Sequence, residues 1–174
     1  MKYLVKLFVV TLTILICTYA SAEQKIAYID MKYVLNNSKA GKGAQDYLKK
    51  IFQDSQESFS KKETELKKEE SDLLSKRTVL SQDEYKKIAD ELRKKVIAHQ
   101  SQRREAIQKI SKQRADAKEK LLEKINPIIA EYTSEKNISL VLNKINVVMG
   151  ADDLDITNII VKKLNKELPS LKLK

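Results

Sequence analysis

The chain has 174 residues, 33% of them charged, with 34 Lys and Arg against 24 Asp and Glu for a formal net charge of +10; it holds three Gly, two Pro, one Cys, one His and no Trp. One histidine, one cysteine and no glycine-rich phosphate loop leave the common catalytic and metal sites without the partner groups they need, so an enzyme is not expected and no cofactor is implied. A basic excess in so polar a chain points to acidic partners.

The first 22 residues read as an export leader. Lys2 and Lys6 form a positive start, residues 7–16 an apolar stretch, and Ala20-Ser21-Ala22 a small-residue cleavage site. The apolar stretch is too short for a good spanning helix, which needs about 20 apolar residues. Lipidation at Cys17 is the alternative; Ile14-Leu15-Ile16 lacks the small residues expected before a lipidated cysteine. Cleavage after Ala22 removes two lysines and the cysteine, leaving residues 23–174 with 32 basic and 24 acidic groups, a charge of +8 (32 − 24).

Residues 26–29, Ile-Ala-Tyr-Ile, are an apolar run of strand type. Asp30 is placed to cap a short helix over residues 31–35, which the polar run Asn36-Asn37-Ser38 ends. Gly41 and Gly43 then punctuate the approach to a long helical segment.

Residues 44–126 contain no glycine and no proline, 83 positions (126 − 44 + 1) rich in Lys, Glu, Gln, Leu, Ile and Ala. One restart signal interrupts them: Ser81 can cap a helix while Glu84, three residues on, reaches back to the cap N–H. The pattern predicts a helical hairpin, one arm running out to about Leu80 and one returning from Gln82. At 1.5 Å per residue the 32 steps from Leu48 to Leu80 make an arm of roughly 48 Å.

On the outgoing arm Phe52, Phe59, Leu66 and Leu73 recur every seven residues, with polar Ser55, Lys62 and Glu69 between them, which is half of a coiled-coil seam. The returning arm shows spacings of eleven, Tyr85-Val96-Ile107 and Ile88-His99-Ile110-Leu121-Tyr132, a period that implies little left-handed supercoil. The stretch from Ile97 to Ile107 is the poorest in large apolar residues. His99 is read as a satisfied or exposed helix residue rather than a ligand or base. From Leu48 to Asn126 there are 21 basic and 15 acidic residues, so +6 of the +8 lies on the arms. Pairs such as Glu63 with Lys67 and Asp90 with Lys94 are placed to form along the helices. Lys94, Lys95, Arg103 and Arg104 are the candidate residues for steering acidic partners.

Past Pro127 the helix is expected to continue to about Glu135 and to end at Asn137. Residues 138–142 and 146–149 read as strands, and Gly150 with Asp152-Asp153 as a turn. Asp155 is a plausible cap for a last helix carrying Ile156, Ile159, Ile160, Leu164 and Leu168, stopped by Pro169. The Asp152-Asp153-Asp155 cluster lacks the spaced oxygens and distal glutamate of a calcium loop.

The fold class expected is α+β, with a small β-rich body from residues 25–45 and 127–174 and a long antiparallel helical hairpin from residues 46–126, all within one domain. About 70 residues of body are few for a self-sufficient core, and three short strands leave edges to cover. An oligomer is inferred, with Ile26, Tyr28, Ile29, Leu140, Val141 and Leu142 as the candidate oligomer core.

The leader, the opening Lys25-Ile26-Ala27-Tyr28-Ile29-Asp30-Met31, the charged hairpin, and Ile138-Ser139-Leu140-Val141-Leu142 followed by Asp155-Ile156-Thr157 resemble the Skp, or OmpH, family of periplasmic chaperones. The resemblance spans residues 23–174; its motifs are short, and its specificity comes from their order. It implies a homotrimer with a shared β-barrel body whose arms enclose a cavity, where unfolded outer-membrane proteins are held without ATP or cofactor in the periplasm. An anionic membrane or lipopolysaccharide surface is a further partner it leaves open. Two other classes stay open. A structural envelope spacer would use the same arms without holding anything, and a nucleic-acid binder would use the charge, although the leader and the lack of aromatics among the basic residues argue against it.

Overall fold

The structure, a computed structural model, describes Tyr3 and residues 24–173. The expected leader, apart from Tyr3, and its cleavage point after Ala22 lie outside the described residues.

Strand β1 (Lys25–Ile29) opens the chain, and Asp30 caps helix α1 (Met31–Asn37) by accepting the Tyr33 N–H at 2.8 Å. The polar run that ends α1 also starts the next helix. Ser38 caps α2 (Lys39–Ser75), accepting the Gly41 N–H at 3.2 Å, so Gly41 and Gly43 lie inside the first two turns rather than ahead of the helix. Gly41 is required by a close approach. A Cβ there would drive into the Leu35 carbonyl oxygen, whereas one on Gly43 would meet nothing within 4 Å.

Helix α3 (Gln82–Glu135) begins at the expected capping box: Ser81 Oγ accepts from the Glu84 N–H at 3.4 Å, and Glu84 Oε2 accepts from the Ser81 N–H at 3.1 Å and hydroxyl at 2.6 Å. Pro127 sits inside α3 without ending it, and Asn137, at φ 53°, turns the chain out. Asparagine tolerates this left-handed backbone because its short polar side chain supports it locally.

The Ser81 hydroxyl and then its N–H hold the Glu84 carboxyl below its ordinary 4.5. A depressed carboxyl stabilises the folded tip fully above 4.5, and this contribution is lost as pH falls through the lower folded value. The amides of Glu84 and Tyr85, which donate to Ser81, are therefore expected to lose protection as pH falls through that lowered value. Hydrogen exchange corrected for intrinsic rates should show this in the wild type but not in Glu84→Gln; an equal loss in both would refute it.

Strand β2 (Ile138–Asn143) pairs parallel with β1 in the register Ile26–Leu140, Ala27–Val141, Tyr28–Leu142. The two strands are separated in sequence by the whole hairpin, so the sheet forms only when both ends of the chain meet. The strand expected at residues 146–149 is absent in the described chain: a 3-10 turn (Lys144–Asn146) leads into bends. A strand needs a ladder partner, and Ile145, Val148 and Met149 stand almost fully exposed with none beside them.

A last 3-10 turn (Asp152–Leu154) leads to α4 (Thr157–Glu167). The cap residue of α4 is Ile156 rather than the expected Asp155, which stands one residue ahead of it, accepts the Thr157 N–H at 2.9 Å and also takes Lys144 Nζ at 2.6 Å. Burial alone would raise the Asp155 carboxyl; hydrogen bonds from Lys144 and Thr157 prevail and hold it below its ordinary value.

The core lies where these pieces converge. Ala27 and Ile29 from β1, Val34 from α1, Leu121, Ile125 and Ile128 from α3, and Ile160 and Leu164 from α4 are all buried in one cluster. Asn165 of α4 adds a polar tie, its Oδ1 accepting the Lys39 N–H at 2.7 Å from 126 residues away. The body thereby helps cap the helix that leads into the arm.

Candidate functional site

Helices α2 and α3 pack along one another as an antiparallel pair, the most extensive contact between two elements among the described residues. Both use a seven-residue rhythm. On α2 the buried positions include Leu48, Leu66 and Leu73, and on α3 the covered positions step by four and three through Ala89, Leu92, Val96 and His99 and on to Ala106 and Ile110. The eleven-residue spacing matches the covered face only in part: Tyr85, Val96, His99, Ile110, Leu121 and Tyr132 are covered, and Ile88 and Ile107 are not. Ile88 and Ile107, which belong to it, are 41 and 51% exposed, and Ile97, which does not, is 58% exposed. Two helices in continuous contact must share a period, and here alanines supply many of the seam positions that large residues do not.

The middle of the seam is mixed in character. His99 is buried, with its Nε2 at 3.2 Å from the Phe59 carbonyl oxygen and its ring edge-on to Phe59 at 5.7 Å between centroids. Lys95 reaches Glu69 across the arms at 2.6 Å, which occupies one of the polar half-seam positions. Glu63 and Lys67 form their in-helix pair at 2.9 Å, and that Lys67 contact is the main reason the Glu63 carboxyl is held low. Asp90 and Lys94 do not pair among the described residues.

Three clefts follow the hairpin. One of about 690 Å³ near the tip includes Leu74, Tyr85, Arg93 and Ile97. A middle one of about 500 Å³ includes Phe52, Phe59 and Ile107 and shares Glu63 and Arg103 with the first. A third of about 860 Å³ at the arm root has Leu35, Leu48 and Leu121 among its lining, with Lys32, Lys49, Arg114, Lys118 and Asp46 around them. None of those five charged side chains forms an ion pair among the described residues.

The candidate steering residues are not brought together on one face. Lys94 and Arg104 are exposed, Lys95 is spent on Glu69, and Arg103 lines the two outer clefts. The candidate oligomer core divides likewise. Ile29 is buried in the chain's own core and Val141 packs against it. Tyr28 is covered by the following loop: its hydroxyl donates to the Ala151 carbonyl at 3.2 Å, Lys144 Nζ lies 5.5 Å from its ring centre, and a Cβ on Gly150 would come within 2.7 Å of the ring. Ile26, Leu140 and Leu142 remain exposed on the outer face of the sheet. Sequence reasoning missed the outward placement of Ile88, Ile97 and Ile107; the heptad carried by Ala89, Ala106 and Ala117 is the signal that could have shown it.

The sequence has no match among curated proteins. Among solved structures, an OmpH-like protein from Caulobacter crescentus CB15, proposed to be an outer membrane chaperone, superposes with a TM-score of 0.80 at 22% identity, covering 89% of this chain and 92% of that one. That likeness concerns the fold, a small body carrying long paired helices. The family model described as outer membrane protein (OmpH-like) matches residues 25–164, from the first strand to the last helix, and the chain therefore belongs to the OmpH-like family.

Proposed function

We propose that this protein is an ATP-independent periplasmic holdase that keeps unfolded outer-membrane proteins from aggregating, with no enzymatic activity. The observation that carries this reading is the placement of apolar side chains on the arms. Ile97 and Ile107 stand about half exposed in clefts along a strongly basic hairpin, outside the core cluster of the body. Exposed apolar groups set among charges suit many weak contacts, each about 0.5–1 kcal/mol, that add up by avidity and leave a client mobile. Membership of the OmpH-like family and the chaperone role proposed for its Caulobacter relative agree with it.

Assembly belongs to the same proposal. The two-stranded sheet has open edges, and Ile26, Leu140, Leu142, Ile145, Val148 and Met149 form exposed apolar surface around it. An open apolar sheet of this kind needs a cover, and a trimer sharing one barrel supplies it by giving residues 146–149 the ladder partner they lack in one chain. The arms would then bring 3 × 6 = +18 of a total 3 × 8 = +24 to the space between them. Lys94, Lys95, Arg103 and Arg104 contribute to this field, which draws acidic segments inward before contact.

The test is suppression of aggregation of a denatured outer-membrane β-barrel protein on dilution from denaturant. A holdase lowers light scattering at equimolar oligomer; a spacer leaves it unchanged, and that result would remove the proposal. In parallel, sedimentation should show an oligomer that Leu140→Asp with Leu142→Asp dissociates, because these side chains are outside the chain's own core. A folded wild-type monomer at micromolar concentration would exclude the shared body.

A further inference from the structure

The three clefts follow one another along one side of the hairpin: the tip and middle ones share Glu63 and Arg103, and the root one starts at Lys49 and Arg114, about one helical turn from Phe52 and Ile110 of the middle one. On α3 the residues that border them in turn are Arg93, Gln100, Ile107 and Arg114, each seven after the last; on α2 they are Lys49, Gln56, Glu63 and Glu70, again seven apart. In a heptad-packed pair, residues seven apart share one side of the helix, so these two lines are the walls of a single trough. Ile97 lies within the trough. Ile88, nine residues earlier and so about half a turn round the helix, lies on the opposite side.

The length and the walls of this trough limit what fits it. From Lys49 to Leu74 it runs 25 residues of helix, roughly 37 Å, the span of about 11 residues of extended chain at 3.3–3.4 Å each. A membrane-spanning β-strand is about 9–11 residues long. A helix laid in the trough would need a further apolar heptad on both walls, and seven of the eight wall residues are polar or charged. An extended segment avoids this, since every second side chain points down to the apolar floor while the rest point away from it. The root end, with four cations against Asp46 alone and none of them ion-paired, favours acidic residues there.

We infer that each hairpin takes one extended segment of about 11 residues, the length of a single membrane strand, with alternate apolar side chains in this trough and acidic ones toward the arm root. The inference rests on the holding function proposed above and adds the unit of binding: one strand per arm, on one face. The exposed isoleucine on the other face is then idle in capture.

The experiment uses fluorescent 11-residue peptides, one alternating apolar and acidic residues, one of equal composition with its apolar residues at helical spacing. Binding to the purified protein is followed by anisotropy, alongside the aggregation assay. The alternating peptide is expected to bind about tenfold more weakly to Ile97→Ser/Ile107→Ser and within twofold of wild type to Ile88→Ser, because only the first pair loses apolar contact in the trough. All three positions are exposed, and circular dichroism should report unchanged helix. Equal weakening by Ile88→Ser, or equal binding of the helically spaced peptide, would overturn the trough. So would a photo-crosslinker at position 97 that labels a neighbouring subunit in the absence of peptide, since a second copy would then occupy the site. If wild type suppresses aggregation yet binds no peptide, the trough is wrong and the chaperone reading stands; if it does neither, both fall.

Discussion

Removing residues 59–107 is expected to abolish aggregation suppression while leaving a folded, associating body. None of the residues in the buried core cluster lies in this segment; its contributors from the hairpin helices are Ala40, Leu121, Ile125 and Ile128. The cut removes every residue lining the tip cleft and six of the ten lining the middle one, together with Ile88, Ile97 and Ile107. Phe59 and Ile107 line the same cleft, so the new ends lie near each other and a short Gly/Ser linker should join them. The energetic cost to the body is small, because the outer arm is held by its own seam and the ion pairs lost with it, such as Lys62–Glu65, are exposed pairs within one helix. Light scattering of a diluted client and sedimentation of the variant measure the two halves of the expectation. Full suppression by the shortened protein would move the functional surface to the body.

Gly41→Ala and Gly43→Ala, two residues apart in one helix, are expected to act in opposite directions. At position 41 a methyl group collides with the backbone of Leu35, and no rotamer change can relieve contact with a carbonyl oxygen. Helix α1 would have to shift off the first turn of α2, disturbing the Ser38 cap and the packing of Val34 and Ala40. A cost of about 3 kcal/mol is reasonable for overpacking against rigid backbone. At position 43 the space is open, and alanine gains about 0.5–1 kcal/mol by restricting the unfolded chain and favouring helix. Denaturant midpoints of the two variants would decide the matter. A Gly41→Ala protein as stable as wild type would mean that the close approach of α1 to α2 is not a feature of the folded protein.

Much of the local structure was legible before any tertiary contact was known. The capping box at Ser81 and Glu84 and the cap at Asp30 follow from side chains that bond within a few residues of themselves, and the passage of α3 through Pro127 and its end near Asn137 follow from local backbone preferences. The packing surfaces were less legible. Reading large apolar residues alone put Ile88 and Ile107 on the returning arm's stripe, when small alanines carry the seam and leave those isoleucines outside. The four steering candidates were grouped by charge and nearness in sequence, yet successive helix positions point in different directions, and Lys95 turned to Glu69 on the other arm.

The sequence by itself determined that two long helices exist, where they reverse, and how their ends are capped, because helix formation depends on backbone hydrogen bonds and caps spanning at most a few residues. Only the tertiary structure decided which face of each helix is covered, because that depends on the period of the partner it meets. It also decided that Gly41 must be glycine, since the obstacle is a carbonyl on another helix, and that Asn165 completes the cap of a helix 126 residues away. Residues 146–149 show the same division: their composition suits a strand, but a strand exists only where a second backbone lies beside it to accept and donate the ladder bonds.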